Sequence, residues 1–274
     1  MTTPNPLANI KALTFDMFGT VVDWRSSITS ALATSAARKL SSPSFPLLPR
    51  ETRSRLQSLT GEDWARFAQE WRDAYHEFTQ TFVPGTTAWR DIDAHHRDSL
   101  VSLLSRWQLG GVYSAEEVSG LSRAWHFLAP WPDAARGIGA LSGALSGPPS
   151  GGGRRYVVAA LSNGNRALLA DLDRHGRLGF DMLISAEEFR AYKPRREVYL
   201  GACGVLGVEP AEVAMVAAHL GDLAGARAAG MRTVYVQRPG EEDEERHVQA
   251  REWVDLWVAE GEGGIEEVAR RLGV

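Results

Sequence analysis

Short apolar runs that end in polar residues recur along the chain. The first run, Ala12 to Phe15, stops at Asp16. Such a run predicts a buried strand that leads into a loop, and nearly continuous apolarity is typical of parallel strands buried on both faces. Five later runs predict further strands: Tyr156 to Leu161, Met182 to Ile184, Val213 to Ala218, Thr233 to Val236 and, as a last edge strand, Val254 to Val258.

Helix-like patterns lie between these strands. Leu168, Leu169 and Leu172 repeat at helix spacing, and so do Val198 and Ala202. Strands that alternate with helices favour the α/β class, because the helices connect parallel neighbours. The pattern therefore predicts a Rossmann-like, doubly wound parallel sheet with helices on both faces.

The alternation breaks after the first strand, where helix patterns dominate. Thr60 is a suitable N-cap for one helix, and five aromatic residues share one stripe of it: Trp64, Phe67, Trp71, Tyr75 and Phe78. We interpret this segment as a helical cap domain at residues 23–132, inserted after the first strand of a core domain at residues 1–22 and 133–274. The cap domain is expected to lie over the sheet as a lid, with the aromatic stripe in its core.

Two further helices are predicted in the cap domain. One spans Asp91 to Trp107, and the next starts at Ser114 and Glu117, which have the spacing of a capping box. This last helix is expected to run to about Ala129, where Pro130 ends it. The Trp-rich helices could form the surface of a homodimer, but burial within one chain explains them equally well.

Composition argues against two classes of partner. A net charge of −4 and a pI of about 6.0 offer no basic surface for nucleic acid. No apolar run approaches the roughly 18–20 residues of a membrane span, and the first residues lack the pattern of a secretory signal.

The single cysteine, Cys203, permits no internal disulfide, which suits a cytoplasmic protein. Two polar segments are expected to be solvated surface loops: Ser142 to Gly153 and the acidic run Glu241 to Glu245.

Candidate chemical groups fall where the predicted strands end. In an open parallel sheet, ligands bind beyond the carboxyl ends of the strands. Polar clusters follow three of the strands, and Lys193 lies a few residues past a fourth. The three clusters are Asp16 to Thr20, Ser162 with Asn163, and the segment that contains Asp222. The topology predicts that they converge on one site.

Four segments in this order resemble the motifs of the haloacid dehalogenase superfamily. They are Phe15-Asp16-Met17-Phe18-Gly19-Thr20, Leu161-Ser162-Asn163-Gly164, Lys193-Pro194 and Asp222 to Gly230. Their order and spacing match across nearly the whole chain. Within the superfamily, the chain resembles the type II L-2-haloacid dehalogenases, because the first motif continues as Val21 to Trp24 and a Trp-Arg pair occurs at Trp71 and Arg72.

The resemblance implies that Asp16 attacks C2 of an L-2-halo acid and forms an ester, which water hydrolyses to a D-2-hydroxy acid. The resemblance implies no cofactor and no metal. It also implies no acid for the leaving group, because halide leaves without a proton. Lys193 would keep Asp16 ionised, since a nearby cation favours a carboxylate. Thr20 would form a hydrogen bond within the nucleophile loop. Arg72 would receive the departing halide, and Asp222 would orient Lys193 or the hydrolytic water.

Several of these residues have structural alternatives. Lys193 could be a surface lysine. Arg72 could be a solvated arginine beside the aromatic stripe. Asp222 could be the N-cap of a helix that begins at Leu223.

The remaining candidates are expected to contact the substrate. The resemblance places the substrate carboxylate at Ser162 and Asn163, which could alternatively form a turn and a helix cap. Phe18 and Tyr199 are expected to line the pocket, although Tyr199 could pack in the core. His219 departs from the family pattern, and it either activates water as a neutral base or has a structural role.

Two positions argue against a phosphatase. Phosphatases of the superfamily have an acid at the position of Phe18 and a magnesium ligand at the position of Ala218. A phenyl ring transfers no proton, and a methyl group offers no oxygen to magnesium. Two further departures, Ala217 and Gly221, leave the identity of the substrate open. The alternatives are a phosphatase with other metal ligands and a non-catalytic small-molecule binding protein on the same fold.

Overall fold

The computed structural model describes residues 5–143 and 156–274, and it contains two compact units. The first unit comprises Met1–Asp23 and Ala129–Val274, and the second is the continuous segment Trp24–Leu128. An insertion after the first strand therefore forms a unit of its own. The limits proposed from the sequence for the core and cap domains differ from these bounds by a few residues and stay a prediction.

Eight strands lie in the described part of the first unit. They are β1 (Ala12–Phe15), β2 (Val22–Asp23), β3 (Ala129–Pro130), β4 (Val157–Ser162), β5 (Met182–Ser185), β6 (Val213–Ala217), β7 (Arg232–Val236) and β8 (Leu256–Val258). Strands β2 and β3 form an antiparallel pair. The other six, all predicted from the apolar runs, form a parallel sheet in the order β5-β4-β1-β6-β7-β8.

Strand β1 occupies the centre of this sheet. It pairs in parallel with β4 on one edge and with β6 on the other, so that Phe15 lies opposite both Ala160 and Val216. Every residue of β1 and β6 is buried. The strand order reverses at β1, and in sheets of this type the ligand site lies beyond the carboxyl ends at that point.

Five α-helices form the second unit, which is described throughout. They are α1 (Trp24–Leu40), α2 (Arg50–Ser58), α3 (Gly61–Thr81), α4 (Ile92–Arg106) and α5 (Ala115–Ser122). The predicted caps at Thr60 and at Ser114 with Glu117 are confirmed. Thr60 and Asp63 form a capping box before α3, Asp91 caps α4, and Ser114 and Glu117 form a capping box before α5.

The last predicted helix of this unit is shorter than expected. It ends at Ser122, and Arg123–Phe127 continue as a 3₁₀ helix, so the prediction of a helix to Ala129 is wrong. Ala129 instead pairs with Asp23 in an antiparallel strand. A residue before proline avoids the α conformation, and Pro130 has no N–H to continue a helix.

Helices flank the parallel sheet in the first unit. In its described residues they are α6 (Ala134–Ser142), α7 (Arg166–Gly176), α8 (Arg196–Leu206), α9 (Leu220–Ala228), α10 (Glu244–Ala250) and α11 (Gly264–Leu272). Helix α6 packs on α11, and α8 packs on α9. This arrangement confirms the predicted α/β class. Among the described helices, none has both the length and the apolarity to cross a membrane. The predicted loop from Ser142 to Gly153 lies largely outside the described residues.

Candidate active site

The carboxyl ends of three adjacent strands bring polar side chains together. Asp16 directly follows β1, Asn163 directly follows β4, and His219 lies two residues past β6. Lys193 and Asp222 join them through direct contacts. Most of the residues predicted from the motifs therefore meet in one cluster of the first unit.

Asp16 lies at the centre of this cluster. Its Oδ1 accepts a hydrogen bond from Lys193 Nζ at 2.8 Å, and its Oδ2 accepts one from Thr20 Oγ1 at 2.9 Å. His219 Nδ1 lies 3.0 Å from the same Oδ2. Burial alone would raise the pKa of Asp16, but Lys193 and His219 outweigh burial and hold that pKa well below its ordinary value. Asp16 is therefore ionised, as a carboxylate nucleophile must be.

Lys193 bridges two carboxylates. Its Nζ donates to Asp16 and, at 2.6 Å, to Asp222 Oδ2. Burial would lower the pKa of Lys193, but the two carboxylates raise it above its ordinary value. Asn163 fixes the lysine backbone, because its Oδ1 accepts from Lys193 N at 2.7 Å and its Nδ2 donates to Lys193 O at 3.4 Å. The alternative of a surface lysine is wrong, since Lys193 is 8% exposed.

Asp222 lies in the first turn of α9. The N-cap position belongs to His219, so the alternative of Asp222 as the cap of a helix from Leu223 is wrong. Tyr199 donates its hydroxyl to Asp222 Oδ1 at 2.6 Å and to the Asp222 carbonyl at 3.1 Å. Burial and Asp222 raise the pKa of Tyr199, which keeps the phenol protonated as a donor. Burial also raises the pKa of Asp222.

Thr20 connects the nucleophile loop to its surroundings. Its Oγ1 accepts from Ala218 N at 2.9 Å while donating to Asp16. Arg238 donates from Nε to the Thr20 carbonyl at 3.0 Å. Its two terminal nitrogens each donate a hydrogen bond of 2.7 Å to the Asp133 carboxylate. Sequence reasoning missed Arg238 and Asp133, because a pair separated by 105 residues leaves no local motif.

The acidic run contributes two residues to this region. Glu241 Oε2 lies 3.0 Å from His219 Nε2, and Glu242 Oε2 accepts from Leu220 N at 2.8 Å. The two glutamate side chains are only 5% and 6% exposed, whereas residues 243–245 are exposed. The expectation of a solvated loop is therefore wrong for Glu241 and Glu242, because hydrogen-bond partners offset the cost of burying their charge.

The turn after β4 has a local hydrogen bond of its own. Ser162 Oγ accepts from Gly164 N at 3.2 Å. Asn165 provides the side-chain cap of α7, so the alternative of a helix cap at Ser162 or Asn163 is wrong. The Phe18 ring is buried and approaches Gly164 closely enough to meet a Cβ placed there.

Arg72 belongs to the second unit and is not among the residues that the first unit brings together. It lies on α3, where its guanidinium is 5.5 Å from the ring centroid of Trp24 and 4.8 Å from that of Tyr75. The alternative of a solvated arginine is wrong, since Arg72 is 5% exposed. Its role toward halide stays a prediction. Of the predicted aromatic stripe, four members are buried and the last is half-buried: Trp64, Phe67, Trp71, Tyr75 and Phe78.

The similarity to known proteins agrees with this geometry. The family model of haloacid dehalogenase-like hydrolases matches residues 10–230. The chain belongs to this family. One relative of this chain is (S)-2-haloacid dehalogenase 1 from Pseudomonas sp. (strain CBS-3), which is 38% identical over 42% of this chain and 47% of that protein. Another is (S)-2-haloacid dehalogenase 4A from Burkholderia cepacia, which is 35% identical over 47% of this chain and 54% of that protein. The chain spans about half the length of these curated relatives.

A solved structure matches this haloacid dehalogenase-like hydrolase over its full length. The structure of a defluorinating L-2-haloacid dehalogenase has a TM-score of 0.78 and 30% identity, and the match covers 100% of this chain and 99% of that one. The similarity includes the helical insertion as well as the sheet. The predicted fold, an α/β core with a helical cap domain inserted after the first strand, is therefore confirmed.

The residues of this cluster do not fit the magnesium ion that phosphatase chemistry requires. The Lys193 ammonium occupies the space between Asp16 and Asp222. Ala218 presents a methyl group, and Phe18 presents a ring where a second acid would be needed. Across residues 5–143 and 156–274, no group of three His, Cys, Asp or Glu side chains is arranged to hold a metal ion. Magnesium favours six oxygen ligands, whereas the position between the two carboxylates here is filled by the Lys193 ammonium.

Proposed function

We propose that the protein is an (S)-2-haloacid dehalogenase, which converts an L-2-halo acid into a D-2-hydroxy acid and halide. One observation carries the proposal: Asp16 is a buried carboxylate at the tip of the central strand, and it accepts a hydrogen bond from the Lys193 ammonium. Phe18 and Ala218 occupy the positions where a phosphatase needs an acid and a metal ligand. The names of the relatives, which are 35–38% identical in the matched segments, support the same substrate class.

The first step is a displacement at carbon. An Asp16 oxygen attacks C2 from the side opposite the halogen, a C–O bond forms, and the halide leaves with the electron pair of the broken bond. Lys193 aims the carboxylate, and the burial of Asp16 limits the hydration that would weaken it as a nucleophile. We assign the substrate carboxylate to Ser162 and Asn163, at the turn between β4 and α7. We assign to Arg72 the electrostatic stabilisation of the departing halide.

The second step returns the enzyme to its starting form. Water attacks the carbonyl carbon of the Asp16 ester, and the 2-hydroxy acid leaves with the oxygen that Asp16 supplied. The configuration at C2 is inverted once, because only the first step breaks a bond at that carbon. This sequence needs no metal and no cofactor.

Oxygen-18 tracing tests this route. We expect that a single turnover of (S)-2-chloropropionate with excess enzyme in H₂¹⁸O places the label in the peptide that contains Asp16. The lactate formed in that turnover should be unlabelled, since its new oxygen comes from Asp16. The Asp16→Asn variant, measured at once after purification, should release no chloride. Label found only in lactate, or no halide release from any small 2-halo acid, would contradict the proposal.

Two further features of the protein are part of this proposal. We infer a cytoplasmic location, which the single cysteine supports. A homodimer formed through the cap helices stays a prediction that sedimentation equilibrium can test. A non-catalytic binding protein would bind 2-halo acids equally before and after Asp16→Asn, with no turnover in either form.

A further inference from the structure

His219 lies between two carboxylates from separate parts of the first unit. Its Nδ1 is 3.0 Å from Asp16 Oδ2, and its Nε2 is 3.0 Å from Glu241 Oε2. An ionised carboxylate only accepts hydrogen bonds, so both ring nitrogens must carry hydrogen. Burial would lower the pKa of His219, but the hydrogen bonds to Asp16 and Glu241 raise it to about 9. His219 is therefore an imidazolium in the resting enzyme and cannot yet accept a proton.

The charged groups around this ring are fixed by several elements. Asp16 faces it from the end of β1, and Glu241 faces it from the segment after β7. Glu242 holds the backbone of the next residue through Leu220 N. Lys193 and Asp222 lie on the far side of Asp16. Of these groups, only Asp16 loses its charge when the ester forms.

The position of Glu241 is built into the nucleophile loop. Its carboxylate lies directly against Gly19, which has a φ of +85°. Any side chain at position 19 would collide with the carboxylate, so the glycine leaves the space that Glu241 occupies. Nucleophile, histidine and glutamate therefore form one continuous arrangement: Asp16, His219 and Glu241.

We propose that Glu241 is a positioning residue for His219, and that His219 becomes the general base for ester hydrolysis only after Asp16 has become the ester. This inference rests on the dehalogenase function proposed above. Formation of the ester removes the negative charge that faces Nδ1, which lowers the pKa of the ring. The His219 side chain is 21% exposed, and we assign to this contact with solvent the loss of the proton from Nδ1. Glu241 keeps the remaining proton on Nε2 and the ring in place.

The proton balance of this cycle closes. The ester form releases one proton from Nδ1 to solvent, and Nδ1 then accepts a proton from the attacking water. The hydroxide oxygen bonds to the Asp16 carbonyl carbon, and the bond from that carbon to the substrate oxygen breaks. The departing oxygen takes the second proton of the water. Asp16 is again a carboxylate and His219 an imidazolium, with a net yield of hydroxy acid, halide and one proton.

The Glu241→Gln variant tests this assignment, because it keeps the shape and removes the charge. With (S)-2-chloropropionate, we expect chloride release in the first turnover within about threefold of wild type. Hydrolysis of the ester should slow by about 10- to 100-fold, consistent with the loss of part of a general-base contribution. Intact-protein mass spectrometry after rapid quenching should then detect the accumulated ester. Glu245→Gln is the matched control, since Glu245 belongs to the same acidic run but is exposed.

The pH dependence gives a readout that a merely structural role would not move. In wild type, single-turnover hydrolysis of the ester should rise with pH through one group whose pKa lies below the value of about 9 for the resting ring. In Glu241→Gln the rise of the hydrolysis rate should occur about one pH unit lower. Removal of the negative charge of Glu241 lowers the pKa of the His219 ring.

Failure of this inference differs from failure of the proposed function. If wild type releases no chloride, the dehalogenase function is wrong. If wild type turns over but Glu241→Gln accumulates no ester, only the role of Glu241 is wrong. A wild-type hydrolysis rate that is flat between pH 5 and pH 9 would also overturn it, and this measurement needs no variant to fold.

Discussion

A single lysine bridges the two carboxylates at the centre of the site. Lys193 Nζ lies 2.8 Å from Asp16 and 2.6 Å from Asp222. Asn163 holds the lysine backbone from both sides. An ammonium placed here stabilises a carboxylate nucleophile, but it offers no open coordination position for a phosphoryl oxygen. At the scale of residues, Lys193 holds the nucleophile ionised, while Phe18 and Ala218 lack the acid and the metal ligand that a phosphatase needs.

His219 should make the stability of the protein depend on pH. Its pKa is about 9 in the folded state against 6.5 as the ordinary value, so its stabilising effect is complete below pH 6.5 and is lost as the pH rises through 9. The free energy of unfolding should therefore fall more steeply with pH in wild type than in His219→Gln. We expect the difference between the two proteins to shrink by about 3 kcal/mol from pH 6 to pH 9.5.

Urea denaturation at several pH values measures this difference. Parallel curves for wild type and His219→Gln would show that the ring gains no charge stabilisation on folding. Asp16 has the opposite pH dependence, because its pKa is lowered in the folded state. Its stabilising effect is lost only as the solution becomes acidic.

Motif residues could be predicted from the sequence, but their partners through space could not. Asp16, Lys193 and Asp222 lie in segments whose order and spacing are characteristic. Glu241 and Arg238 have no such signal. Glu241 has the same local composition as its exposed neighbours, and only the fold brings it to His219.

Close packing of two helices supports the nucleophile loop at the scale of elements. Gly137 on α6 lies against the start of α11, where an added Cβ would be 2.6 Å from Ile265 C. Asp133, just before α6, accepts from Ile265 N at 2.7 Å and binds Arg238. The Arg238 contact to Thr20 continues this connection to the nucleophile loop.

Gly137→Ala should therefore destabilise the protein by about 1–3 kcal/mol, because backbone atoms cannot move aside cheaply. Gly204→Ala is the matched control, since Gly204 is an exposed helical glycine with no atom within 4 Å of an added Cβ. That control should be stabilised by up to about 1 kcal/mol. Thermal unfolding of both variants tests this contrast, and equal shifts would contradict close packing at Gly137.

Elements with strong apolar contrast could be predicted, and those with weak contrast could not. The six strands of the parallel sheet are all near their predicted positions, because parallel strands are buried on both faces. Helix α1 was not predicted individually. Its buried side chains recur every four residues among Ser, Thr and Ala, which makes a narrow stripe: Trp24, Ile28, Leu32 and Ala36. Helix α2 buries only Leu56.

At the scale of the whole molecule, the donor set predicts activity without metal. Halide release should be unchanged after dialysis against EDTA, because the Lys193 ammonium lies between Asp16 and Asp222, where a metal ion would otherwise be needed. Magnesium should not elicit phosphate release from p-nitrophenyl phosphate. A chloride-release assay before and after chelation checks this. Loss of activity that magnesium restores would support the phosphatase alternative.

The central position of β1 has a consequence for how the chain is made. The ribosome delivers β1 early, but both of its partners, β4 and β6, emerge only after the whole insertion Trp24–Leu128. A nascent chain therefore carries an unpaired apolar strand for most of its synthesis, a state that favours aggregation and binding by chaperones. The helices of Trp24–Leu128 form one continuous stretch and can meet their neighbours sooner. Lys193 is also synthesised late, so an incomplete chain contains Asp16 without the ammonium that holds it ionised.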